Sequence, residues 1–137
     1  MPTTDARRRP APAPVDLSTR EAAQALLRTY FGVADAWKLS SREAMTLLGL
    51  RSRSTYHLWK SGKAGALSPD TLERISYVLG IYKALQMLLP SDAAADAWIR
   101  KPNAAPLFNG QSALDRMMSG NVADLYEVRR YLDAQRG

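Results

Sequence analysis

The run from Ser68 to Leu89, SPDTLERISYVLGIYKALQMLL, leaves this chain few ways to fold. Ser68 can cap free helix amides, and Pro69 suits a first helical position, where its missing N–H costs nothing. Asp70 and Glu73 fall in the first turn, where carboxylates favour the positive end of the helix dipole. Pro90 stops the run. Pro69 to Leu89 predicts a helix of roughly 31 Å at about 1.5 Å per residue. From Ile75 onward only Ser76, Lys83 and Gln86 are polar, besides Gly80, and they share one narrow side of the wheel. A helix so apolar must be buried on more than one side. A membrane span is the other reading, against which stand the shortness of the run and Lys83. Each half of the chain, and a second copy, is therefore expected to pack on this hub.

An apolar fraction of 46% in 137 residues is enough for one core or two small ones. The absence of cysteine excludes disulfides and thiolate metal sites, and one histidine, His57, excludes a His-rich one. No metal or cofactor is expected. Without an apolar signal core or a long apolar run, the protein is expected in the cytoplasm and off the membrane.

The net charge of +6 is unevenly spread. Lys38, Arg42, Arg51, Arg53, Lys60 and Lys63 face Glu43 alone in residues 38–63, whereas acids and bases balance in residues 91–137. A localised cationic segment points to a polyanion. Residues 1–16, rich in proline and carrying Arg7, Arg8 and Arg9, read as a disordered arm.

Ser18 and Glu21 have capping-box spacing ahead of a helix near 19–38, with Ala23, Leu26, Leu27, Tyr30, Ala34 and Trp37 on its inner face. Ser40 and Glu43 form a second box. The short helix that follows turns Ala44, Leu47 and Leu48 inward and ends at Gly49. Ser52 then caps RSTYHLWK, whose inward residues are Tyr56 or Leu58, with Trp59. Two short helices about a tight Gly-containing turn make a helix-turn-helix. Such a unit places the first turn of its second helix against base edges in the major groove. Arg51, Ser52, Arg53, Ser54 and Thr55 are the candidate readers. Arg42, Lys60 and Lys63 are candidate phosphate contacts. His57 has no carboxylate or nucleophile at useful spacing and reads as a surface or phosphate-side residue rather than a catalyst.

Beyond Pro90, Ser91 or Asp92 starts a short helix through Ile99. The loop Lys101–Gly110 holds two prolines and an Asn-Gly pair, which exclude a helix. Ser112 or Gln111 caps a short helix over 113–118, Gly120 stops it, and Asn121 caps the last helix. That helix turns Leu125, Val128 and Leu132 inward and leaves Tyr126, Arg129 and Arg130 more exposed. No strand-like alternation occurs, so the fold is expected to be all-α: a helix-turn-helix bundle over 17–89, hub included, then a small helical module over 90–137.

The residues Trp98-Ile-Arg-Lys-Pro-Asn103, Leu107-Phe108-Asn-Gly110, Ala113-Leu114, Met117, Gly120 and Leu125 through Val128-Arg129-Arg130-Tyr131-Leu132 resemble the toxin-binding domain of the Xre/MbcA/ParS antitoxin family. The stretch ERISYVLGIYKAL and the helix-turn-helix before it are also similar to that family, so the resemblance spans about 20–137. It implies a type II antitoxin that blocks a RES-domain toxin, an NAD-consuming enzyme, forms dimers and represses its own operon. On this chain it implies that Asn103, Phe108, Gly110, Leu114, Met117 and Gly120 shape the toxin-binding module. Tyr131, Arg136 and Gly137 would lie nearest the toxin, with Arg129 and Arg130 as exposed cations available to a partner. A basic end suits a site that binds an anionic dinucleotide.

The alternative is a stand-alone DNA-binding regulator whose C-terminal half serves only dimerisation. An enzyme has nothing to carry it: there is no Gly-rich phosphate loop, metal cluster or Ser/Cys–His pairing.

Overall fold

A computed structural model describes residues 19–137. The proline-rich arm, its arginine triplet and Ser18 lie outside them. Seven α-helices follow in order: α1 Arg20–Ala36, α2 Ser41–Leu48, α3 Arg53–Lys60, α4 Pro69–Leu88, α5 Asp92–Ala97, α6 Ala113–Met117 and α7 Val122–Gln135, with a 3₁₀ turn at Trp98–Arg100 after α5. Among the described residues there is no strand, only an isolated bridge between Pro102 and Ser112. None of these helices is long and apolar enough to cross a membrane.

Local chemistry sets most helix ends. The Thr19 hydroxyl accepts the Ala22 amide at the start of α1. Ser40 and Glu43 form a reciprocal capping box on α2, and Ser112 and Asp115 another on α6. Ser68 accepts the Thr71 amide beneath Pro69 at the start of α4. Asn121 precedes α7 without capping it through its side chain. Ser119 takes over there: its hydroxyl accepts the Asn121 amide and donates to the Asp124 carboxylate.

The helix α4 is the common wall of both halves. It packs against α1 and α2 on one side and α5 and α7 on the other. Ile75, Val78, Ile81, Ala84 and Leu85 are completely enclosed. They join Leu27, Tyr30, Trp37, Leu47 and Leu48 from the first half and Ile99, Met117, Leu125, Val128 and Leu132 from the second in one continuous core. The Tyr30 hydroxyl donates to the Ala44 carbonyl at 2.7 Å, so α1 and α2 are also joined by a buried polar bond, and burial raises that phenol far above its ordinary pKa. One strip of α4 stays open: Leu72 and Leu79 are half-buried, Ser76 and Lys83 exposed, and Met87 is 60% exposed.

Helix α7 runs beside α4 in the same direction, with Tyr77 against Tyr126 and Gly80 against Arg129. Gly80 permits this approach. A Cβ there would stand 2.5 Å from the Arg129 guanidinium, which lies on α4, donates to the Ser76 carbonyl at 3.3 Å and pairs with Asp133 at 3.5 Å.

A second arginine ties the halves together. The Arg100 guanidinium donates to the carbonyls of Trp37 (3.2 Å) and Lys38 (2.8 Å), at the end of α1, and to Glu43 in the α2 cap. It thereby satisfies carbonyls that a helix end leaves without partners. Burial alone would push the Glu43 carboxyl up, but hydrogen bonds from Arg100 and from the Ser40 amide, with the Arg100 charge, hold it below its ordinary range.

Candidate DNA and partner interfaces

The α2–α3 turn is built by one glycine. Gly49 ends α2 at φ 73, a left-handed conformation that glycine adopts without strain. Leu50 closes the turn by donating to the Met45 carbonyl at 2.9 Å. Tyr56 is the residue of α3 that faces inward, buried and edge-on to Phe31 at 5.7 Å, while Trp59 is half-buried and Leu58 points out.

This arrangement divides the proposed readers. Ser52 caps α3 by accepting the Thr55 amide, and its hydroxyl also meets the hydroxyls of Ser54 (3.0 Å) and Thr55 (3.1 Å). These three hydroxyls hold the helix start together. Arg42, Arg51, Arg53 and Lys63 are exposed and form no ion pair among the described residues. Lys60 is exposed too, its ammonium 5.9 Å from the centre of the Tyr56 ring. The result is two unneutralised arginines, Arg51 and Arg53, at the start of α3, with Arg42 exposed on α2 and Lys60 and Lys63 exposed at and just past the end of α3. Such groups can neutralise backbone phosphates and present arginine to base edges. The α2–α3 turn also borders the C-terminal half. Arg51 and Gly49 share a cleft of about 290 Å³ with Arg74, Ser119 and Asn121.

The C-terminal residues separate into a scaffold and an exposed end. Asn103 clasps its loop: its side-chain oxygen accepts the Ala105 amide, its own amide donates to Gln111, and its carbonyl accepts from Gly110. Asn109 and Gly110 both adopt positive φ, which the Asn-Gly pair supplies. Phe108 is 3% exposed, edge-on to Trp98 and Tyr131, and those two rings stack at 6.5 Å. Asn103, Phe108 and Gly110 therefore shape the module from within or at its loop. Leu107 is half-buried, and its carbonyl accepts from Arg116.

Arg129 departs from its expected place among the free cations, because Gly80 lets it fold down on α4. Arg130, Arg136 and Gly137 are exposed, and Tyr131 is half-buried with its ring in the aromatic cluster. Arg136 pairs with Asp133 at 3.6 Å, leaving Arg130 without an ion pair among the described residues. The end of α7 and the exposed Met87 of α4 frame an open groove of about 570 Å³, lined also by Leu88, Asp133 and Arg136.

Three participants escaped the sequence reading. Met87 shares the narrow polar side of the hub with Ser76 and Lys83 but is itself apolar, Leu58 and Tyr56 compete for the inward position of α3, and Arg100 has no local signal because its partners lie some sixty positions away.

Residues 16–80 match the antitoxin Xre-like helix-turn-helix domain, and residues 84–137 match the antitoxin Xre/MbcA/ParS C-terminal toxin-binding domain. With both halves so matched, the chain belongs to the Xre/MbcA/ParS antitoxins, and the domain pair supports a type II antitoxin. It is also similar to "Uncharacterized protein y4oB" of Sinorhizobium fredii (strain NBRC 101917 / NGR234), with 50% identity over 111 residues, 81% of this chain and 84% of that protein.

Proposed function

We propose that this antitoxin neutralises a RES-domain, NAD-consuming toxin through its C-terminal half and represses its own operon through α2 and α3. The observation that carries the reading is the separation of two free faces. Unpaired arginines surround the start of α3, and the exposed end of α7 stands beside Met87 on the far half of the fold. In this reading the α7 end, with Arg130, Arg136 and Gly137, approaches the toxin's dinucleotide cleft, where cations oppose an anionic substrate. The protein acts as a homodimer, and the open strip of α4, with Leu26, Leu72 and Leu79, offers the second copy an apolar seat.

The test is co-expression and co-purification with the product of the adjacent gene, followed by an NAD-consumption assay. Deletion of residues 134–137 removes only exposed positions and is expected to impair neutralisation while keeping DNA binding. Deletion from 131 is less clean, because it also takes Leu132 out of the core. Arg51→Ala with Arg53→Ala should do the reverse, weakening operator binding and reducing its salt slope by about 2. Full protection by the 134–137 deletion would place the inhibitory surface elsewhere. Failure to co-purify, with no loss of NAD consumption, would favour the stand-alone regulator.

A further inference from the structure

We infer that Leu58 reads a thymine methyl group in the major groove and makes this helix-turn-helix select a T·A pair one helical turn into its recognition helix. The inference rests on the DNA-binding reading of α2 and α3 and adds what that reading lacks, a residue that distinguishes bases by apolar contact.

Leu58 is 51% exposed, whereas its neighbours Tyr56 and Trp59 turn toward α1. It lies four residues after Ser54, on the same stripe of α3 and about 6 Å further along the axis. A helix that enters the groove by its first turn carries this stripe in with it. The hydroxyls of Ser52, Ser54 and Thr55 are already bonded to one another. Arg53, His57, Leu58 and Lys60 are therefore the exposed side chains of α3 that lie outside that cap. Three of them are polar, and Leu58 is the large aliphatic group.

Thymine is the base that presents a methyl group in the major groove, and it is the apolar partner available there. A leucine set against a G·C pair would bury donor and acceptor edges without a bond, which is unfavourable. Leu58 thus acts in both directions, by contact with T·A and by exclusion of G·C.

The experiment uses the full chain and a randomised duplex pool. After selection, each thymine of the bound duplex is replaced in turn by deoxyuridine, which removes only the methyl group. Wild-type protein should lose roughly three- to fivefold in affinity at one thymine per half-site, the value of one buried methyl group. For Leu58→Ala, whose circular dichroism should be unchanged because the site is exposed, that replacement should have no effect. Sensitivity at no thymine in the wild type, or sensitivity that persists in Leu58→Ala, overturns the inference while leaving DNA binding intact. A change of oligomeric mass in Leu58→Ala without any methyl effect overturns it as well and assigns Leu58 to a protein contact. Failure to enrich any duplex sinks the DNA-binding reading itself, and this inference with it.

Discussion

Replacing Gly80 by alanine should have different consequences in two backgrounds. Glycine inside an exposed helix is about 1 kcal/mol less favourable than alanine, so the substitution in α4 carries an intrinsic gain of that size. Against it stands the Arg129 guanidinium, whose atoms lie 2.5 to 2.7 Å from the position a Cβ would take. Arg129 is the end of a flexible side chain and can swing away, but it then gives up its bond to the Ser76 carbonyl and loosens its pairing with Asp133. Both contacts are long, and the arginine side chain is 37% exposed, so their loss amounts to about 0.5–1.5 kcal/mol after screening. Gly80→Ala alone should leave stability near the wild-type value. In an Arg129→Ala background the same change should stabilise by about 1 kcal/mol, a rise in melting temperature of about 4 °C for a domain of this size. Urea denaturation of the four proteins gives the coupling directly. Equal stabilisation in both backgrounds would show that Arg129 does not rest on Gly80, and would return it to the free cations of the toxin-facing side.

Gly49→Ala should destabilise by about 1–2 kcal/mol for its left-handed backbone, and more because a Cβ would stand 2.8 Å from Arg74 Nε. The Arg74→Ala background should restore only that second part in chemical denaturation. Arg100→Ala should lower stability by about 1 kcal/mol, since its exposed charge is screened, and should raise hydrogen exchange at the end of α1, where it holds two carbonyls. The Glu43 carboxyl is depressed in the folded protein, so its stabilisation is fully present above the ordinary glutamate range and disappears as pH falls through the lowered value. Wild-type stability should therefore drop more steeply than that of Arg100→Ala on acidification below about pH 4.5. Parallel acid limbs in the two proteins would refute the contribution of this pair.

Features encoded by neighbours in the chain are legible in the sequence. Ser40 and Glu43 announce a cap because three residues of spacing are all it requires, and Gly49 announces a turn because it follows the last inward leucine. The helix-turn-helix and its cationic loading follow from such signals. Periodicity left Tyr56 and Leu58 as alternatives, because eight residues complete little more than two turns, and packing against Phe31 decides between them. Asn121 has the chemistry of a cap, yet Ser119 and Asp124 supply the contacts at that helix start. Gly80 and Arg129 are forty-nine positions apart, and nothing local to either implies that one rests on the other. The end of α7 was foreseen as exposed through family resemblance, whereas the groove beside Met87 arises only when α4 and α7 lie side by side.

Because α4 lends its sides to both halves, neither can melt and leave the other a finished interior. Denaturation should run as a single cooperative event, with the enclosed amides of Ile75 to Leu85 exchanging only through whole-molecule opening. A partner gripping one end would then protect the opposite end from unfolding without touching it, through a shared spine rather than a relay of moving parts.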